Sequence, residues 1–131
     1  MEWQPSCSPQ PPLDRQKAGA EAELAARQHL EQQGCQLVCA NYRSRRGEID
    51  LIMAHCDLLL FVEVRLRRHD CFGGAAGSIT AAKQQKIIAS ARAFLHHHPQ
   101  FYNHDCRFDV VTLQRLQHSW QIDWLPDAFT T

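Results

Sequence analysis

The residues most able to do chemistry lie where one apolar strand stops being apolar. In Leu58 to Arg67 the even positions Leu58, Leu60, Val62, Val64 and Leu66 are all apolar, while the odd positions run Leu59, Phe61, Glu63, Arg65, Arg67. A strand sends alternate side chains to opposite faces, so Glu63, Arg65 and Arg67 share one side of a sheet. A carboxylate two residues beyond Phe61 in such a strand is poorly hydrated. If His55-Cys56-Asp57-Leu58 form a hairpin loop, Ala54 faces Leu59 and Ile52 faces Phe61. Asp50 then faces Glu63, Glu48 faces Arg65 and Arg46 faces Arg67. Like charges opposed across a sheet destabilise it unless something lies between them. A divalent cation between Asp50 and Glu63, and a phosphate beside the arginines, would relieve both conflicts. The plain alternative is a solvated surface hairpin, which the Glu48/Arg65 pair fits without strain.

Two helices must supply the rest. Residues 15–33 are rich in Ala, Glu, Gln and Leu and end at Gly34, a composition that predicts one helix. At about 100° per residue, Gly19, Glu23, Ala26 and Leu30 fall on its packing stripe. Small residues at 19, 22 and 26 let such a helix approach the sheet and aim Glu23 at the strand carboxylates. An edge Glu with its head in water is the plainer reading. Thr80 can cap a second helix that runs to about His98, with Pro99 after it. Lys83 opens that helix on the face of Ile87 and Phe94, and its side chain is long enough to reach the same place; a solvated first-turn lysine is the alternative.

The remaining elements follow from periodicity and turn residues. Strands are expected at 35–42, 46–54, 58–66, 107–113 and 120–125, and a flexible glycine-rich loop at Phe72 to Ser78. Residues 1–14 hold four of the six prolines and no apolar periodicity, which predicts a disordered tail ahead of a single domain at 15–131. The order α-β-β-β-α-β-β gives an α/β domain with a central mixed sheet flanked by helices. One core of ordinary size is what 131 residues, 44% of them hydrophobic, can build.

Charge and cysteines narrow the setting. Fourteen basic and fourteen acidic residues cancel, which excludes a uniformly polycationic nucleic-acid binder. Eleven of the cations are Arg, whose planar fork suits phosphate, and they cluster at Arg43, Arg45, Arg46 and at Arg65, Arg67, Arg68. The longest apolar run, Leu58 to Val62, is far short of a membrane span, and the N-terminus carries no export pattern. Reduced thiols and a cytoplasmic location are therefore expected of the six cysteines. No CxxC spacing supports zinc, and His96, His97 and His98 on one helix point in different directions.

The motifs Gly47-Glu48-Ile49-Asp50-Leu51-Ile52, Phe61-Val62-Glu63-Val64-Arg65, Lys83 and Arg107-Phe108-Asp109-Val110-Val111, flanked by Gly19, Glu23 and Ala128-Phe129, closely resemble the YraN family of small bacterial proteins. The resemblance implies a restriction-endonuclease-like fold, similar to the archaeal Holliday-junction resolvases, with the PD-(D/E)xK nuclease arrangement. It implies that Asp50 and Glu63, with the carbonyl of Val64, hold Mg²⁺ or Mn²⁺, and that Glu23 assists as a ligand or by orienting water. Arg65 stands where the superfamily has Lys. It stays protonated and cannot be a general base, but with Lys83 it can stabilise developing phosphorane charge. Arg43, Arg45, Arg46, Arg67 and Arg68 would hold the backbone of DNA, branched or distorted duplex in particular. Resolvase-like relatives suggest a homodimer.

The expected activity is thus metal-dependent hydrolysis of a DNA phosphodiester. Arg65 favours a rival, a nucleic-acid-binding accessory that kept the fold without efficient catalysis. A protein–protein adaptor with a vestigial site is the third reading, marked by absence of salt-dependent DNA binding.

Overall fold

A computed structural model of the chain describes residues 14–67 and 79–130, the side chains of 14–18 excepted. Residues 1–13 of the expected tail, the expected loop at Phe72 to Ser78, and Arg68 lie outside the described residues. The elements are α1 (Asp14–Gln32), β1 (Gln36–Ser44), β2 (Gly47–His55), β3 (Leu58–Arg67), α2 (Ala81–His97), β4 (Asp105–Arg115) and β5 (Trp120–Phe129). The strands form one mixed sheet in the order β1-β2-β3-β4-β5, with only the β3–β4 pair parallel. This is an α/β fold consistent with a restriction-endonuclease-like domain.

The sheet is buried on both faces, which explains the run of apolar residues in β3. Ala22, Ala26 and Leu30 of α1 pack on one face against Leu51, Met53, Leu60 and Val62. Ile87, Ile88, Ala91 and Phe94 of α2 pack on the other against Ile52, Leu59 and Phe61. Leu59, Leu60, Phe61 and Val62 are no more than 1% exposed. Such side chains each contribute about 1.5–3 kcal/mol on burial. Four together outweigh the about 4 kcal/mol that two like charges 4 Å apart cost near a protein surface. β3 can therefore carry a strained charge at its end without losing its place.

Both helices stop where their ends can be satisfied. Gly34, at φ +98, follows α1 and donates its N–H to Glu31 O, a left-handed position that favours glycine. Thr80 caps α2, its Oγ1 accepting the Lys83 N–H at 3.1 Å.

The β2–β3 hairpin has the expected register as far as it goes. Ala54 faces Leu59 and Ile52 faces Phe61, but the ladder ends at Leu51/Val62. Beyond that point Asp50 and Glu63, Glu48 and Arg65, and Arg46 and Arg67 are not rungs of the ladder. The cause is visible in β1 and β2. Ala40/Leu51 belongs to the α1 side, whereas the next pair, Tyr42/Ile49, includes two residues of the α2-side core. Asn41, at φ 54, and Asp50 occupy the step between those pairs. The apolar stripe changes face there and β2 parts from β3.

Charged side chains accordingly find other partners. Glu48 pairs with Arg43 at 3.4 Å and Arg67 with Asp123 at 3.1 Å, both largely exposed. Arg115 stacks over Trp120 and also pairs with Glu21, tying α1 to the β4–β5 edge. Cys35, Cys56 and Cys106 are free thiols, but Cys39 is disulfide-bonded, against the expectation of thiols throughout.

Candidate active site

The fork between β2 and β3 opens a cleft of about 460 Å³. Because the two strands separate, side chains from both faces of the sheet reach it: Glu23 from α1, Asp50 and Glu63 from the strands, and Lys83 and Lys86 from α2. The helix carboxylate, the two strand carboxylates and the helix lysine thus line one cavity.

Asp50 sits at the point of separation. Its Oδ2 accepts the backbone N–H of Val64 at 2.8 Å, in place of the ladder bond that the fork removes. Asp50 is half-buried as a residue, yet its carboxyl lies in the desolvated depth of the fork. Burial first, then the hydrogen bond shared with Glu63 and the charges of Glu63 and Glu23, raise its pKa well above the ordinary value. The Val64 amide opposes that rise without cancelling it. Desolvation and the neighbouring carboxylate thus disfavour the charged form of Asp50.

Glu63 is only 7% exposed. Lys83 Nζ stands 2.9 Å from its Oε2, close enough to compensate charge. The approach lies outside hydrogen-bond geometry, so the buried Oε2 has no hydrogen bond from the described residues. A buried carboxylate oxygen left in that state is costly unless something else binds it. Glu23 is half-buried beside the pair. Desolvation raises its pKa, a hydrogen bond from Asn41 lowers it, and Glu48 and Glu63 add to the rise.

These features fit a hard divalent cation, which takes oxygen ligands and would offset the crowding of the carboxyls and occupy the oxygen left without a hydrogen bond. Asp50 and Glu63 are the groups placed to hold it. Among the described residues no three His, Cys, Asp or Glu side chains are grouped to hold an ion by themselves. Glu23 therefore belongs to the cleft wall beside the pair. Among described residues lining the cleft, the cation beside Glu63 is Lys83; Arg65, two residues along β3 and half-buried, is not part of the lining.

The arginines are divided by the fold. Arg43 and Arg67 are held in ion pairs well apart along the chain, and Arg45 and Arg46 form the exposed turn between β1 and β2. Lys86 was not singled out from sequence; it lines the cleft one turn beyond Lys83, a spacing of three that helical geometry puts on the same side.

Asp109 is a second buried carboxylate with a different character. It is 0% exposed and fully engaged. Its oxygens accept Arg107 Nε at 2.9 Å, an Arg107 terminal nitrogen at 3.0 Å, Trp124 Nε1 at 2.8 Å and the Asp127 N–H at 2.9 Å. It fills the irregularity where the β4–β5 register shifts between Phe108 and Val110. No orphaned oxygen remains there, so Asp109 braces the sheet.

Comparison with known proteins places this arrangement in a family. The model described as "Uncharacterised protein family UPF0102" matches residues 22–113, a span that takes in Glu23, Asp50, Glu63, Lys83 and Asp109. A UPF0102 protein of Ectopseudomonas mendocina is 45% identical over 111 residues, covering 85% of this chain and 92% of the relative. One of Pseudomonas putida is 46% identical over 114 residues, covering 86% and 93%. Another, of Saccharophagus degradans, is also 46% identical over 114 residues, covering 87% and 93%. The family model matches well over half of the chain and these relatives match 85% of it or more, so the chain belongs to UPF0102, the YraN family.

Proposed function

We propose that this protein is a metal-dependent phosphodiesterase that cuts DNA, with branched or distorted duplex as its preferred substrate. The observation that carries the reading is the Asp50–Glu63 carboxyl pair, desolvated at the floor of an open cleft with Lys83 Nζ 2.9 Å from Glu63 Oε2. A structural ion pair has no need of two crowded carboxyls and a hydrogen-bond-free oxygen, whereas a cation site does. Asp50 and Glu63, with the carbonyl of Val64, would hold Mg²⁺ or Mn²⁺, which supplies Lewis acidity and screens the phosphate charge.

The protein's own groups do the rest. Glu23, from the opposite wall, orients the attacking water. Lys83 carries three N–H donors and faces Glu63 as a charge at 2.9 Å, with one side of its ammonium turned to that carboxylate and the others left over. The others can meet a phosphoryl oxygen as charge builds on it. Arg65 reinforces the field from β3, and Arg43, Arg45, Arg46, Arg67 and Arg68 hold the backbone on either side. The exposed ion pairs of Arg43 and Arg67 are worth about 0–1 kcal/mol each, so a phosphate can displace their carboxylates.

The test is cleavage of duplex, single-stranded and four-way-junction DNA with Mg²⁺ and Mn²⁺, against an Asp50→Ala control. Cleavage that vanishes in the control supports the reading. DNA binding that falls with salt, without cleavage by the wild type, would instead support the accessory, the reading that Arg65 in the lysine position favours.

A further inference from the structure

The turn between β1 and β2 is mounted directly on α2. Gly47, at φ +154, lies so close that a Cβ there would meet Lys86 Cβ at 3.2 Å. Ser44 Oγ stands 2.9 Å from Ser90 Oγ and accepts the Arg46 N–H at 3.1 Å. The serine pair sits on the buried side of the contact, since Ser90 is 0% exposed. Arg45, Arg46 and Lys86 are all exposed on its outer side. Gly47, Lys86 and Lys83 line the cleft itself, so this edge is continuous with the candidate active site.

A mobile arginine turn would lose side-chain and backbone entropy on binding a phosphate. A turn clasped to a helix has already lost most of the backbone part. From this mounting we infer that Arg45, Arg46 and Lys86 form a preorganised rim that binds consecutive backbone phosphates of DNA and leads the strand into the cleft past Lys83. Ser44, Gly47 and Ser90 act as positioning residues for that rim. The inference rests on the phosphodiesterase reading for the identity of the ligand, but it concerns binding rather than the reacting atoms. It also gives the arginines different roles, since Arg45 and Arg46 work with Lys86, whereas Arg67, paired with Asp123 of β5, lies on another part of the surface.

The measurement is affinity for a labelled four-way junction and a duplex of the same length, in EDTA, across a series of salt concentrations. Each phosphate contact contributes about 0.9 to the slope of log affinity against log salt on duplex DNA. The Arg45→Gln/Arg46→Gln/Lys86→Gln variant should lower that slope by between about two and three. Arg92→Gln, an exposed arginine of α2 outside the cleft lining, should leave it unchanged. Ser90→Ala should weaken binding without altering the slope, because the phosphates are still reached and only the preorganisation is reduced. The three charge substitutions are exposed, so folding is not at risk, and thermal melts verify it for Ser90→Ala. An unchanged slope and affinity in the triple variant would overturn the rim, even if cleavage remained dependent on Asp50. A lowered slope in a protein that never cuts DNA would uphold the rim and sink the phosphodiesterase. Wild-type affinity that ignores salt would overturn both.

Discussion

Asp50 Oδ2 accepts the Val64 N–H at 2.8 Å one residue beyond the last rung of the β2–β3 ladder. A side chain has taken over a backbone's bond, and that substitution lets the strands part without leaving the Val64 amide bare. It also fixes the Asp50 carboxyl against Glu63, where desolvation and a neighbouring carboxylate both disfavour its charge. Fork, hydrogen bond and crowded carboxyls are one structural device.

Asp50→Asn should therefore be tolerated by the metal-free fold. An Asn keeps an oxygen for the Val64 amide, has an N–H for Glu63, and carries no charge to be desolvated. Urea melts in EDTA at neutral pH should show stability within about 0.5 kcal/mol of wild type, or a gain. Stabilisation by Mn²⁺, expected of the wild type, should be absent in the variant. A loss of several kcal/mol in EDTA would mean that Asp50 is ionised and structurally satisfied.

The same carboxyl sets a pH dependence. Its pKa is raised in the folded state, so folding takes up a proton and the stabilising contribution is complete below the unfolded value, about 3.9. It is lost as pH rises through the folded value. Glu23, raised in the same direction, adds to the effect. The stability of Asp50→Asn minus that of wild type in EDTA should grow with pH above about 4, and Mn²⁺ affinity should rise over the same range as the proton leaves. A difference independent of pH would show that Asp50 is not protonated in the fold.

Asp109 should behave in the opposite way. It is buried, ion-paired to Arg107 and bonded to Trp124 and the Asp127 amide. Asp109→Ala leaves the guanidinium without its partner and the indole and amide donors unmatched, a change that costs about 3–5 kcal/mol. The loss should appear in thermal melts with or without divalent ion. A small loss, or one cured by Mn²⁺, would make Asp109 part of the ion site.

Much of the fold was legible because periodicity reports burial. The alternation of Leu58 to Leu66, the Gly34 stop and the Thr80 cap located β3, α1 and α2 to within a residue or two. Carrying the hairpin register outward from the loop paired Ala54 with Leu59 correctly but continued too far. Nothing local in Asn41 or Asp50 announces that the apolar stripe changes face between Leu51 and Ile49. The small-residue argument for α1 held for Ala22 and Ala26, which are nearly inaccessible. It failed for Gly19, where a Cβ would meet nothing within 4 Å; that glycine lines the open cleft and does not bring the helix closer. Lys86 escaped notice because its importance depends on the docking of the β1–β2 turn, where it meets Gly47, a residue distant in sequence.

Arg65 and Lys83 make rival claims to the position that the superfamily gives to lysine. Arg65 has the sequence position, two residues after Glu63. Lys83 has the place: its Nζ lies beside Glu63 Oε2 in the cleft that Arg65 does not line. Lys83 is half-exposed but Glu63 is buried, so Lys83→Met takes the cation away from a desolvated carboxyl and should lower the melting temperature. Its effect on chemistry should be large as well. Loss of one preorganised charge at a developing oxyanion lowers kcat by about 10²–10³-fold, with little change in DNA affinity because the Arg45, Arg46 and Lys86 rim is intact. Arg65→Lys should retain cleavage, and Arg65→Ala should lower it by less than Lys83→Met does. The assay is single-turnover cleavage of a four-way junction with Mn²⁺, with binding measured separately in EDTA. If Arg65→Ala abolishes cleavage while Lys83→Met cuts at the wild-type rate, the sequence position prevails, and Lys83 is only the surface partner of a buried glutamate.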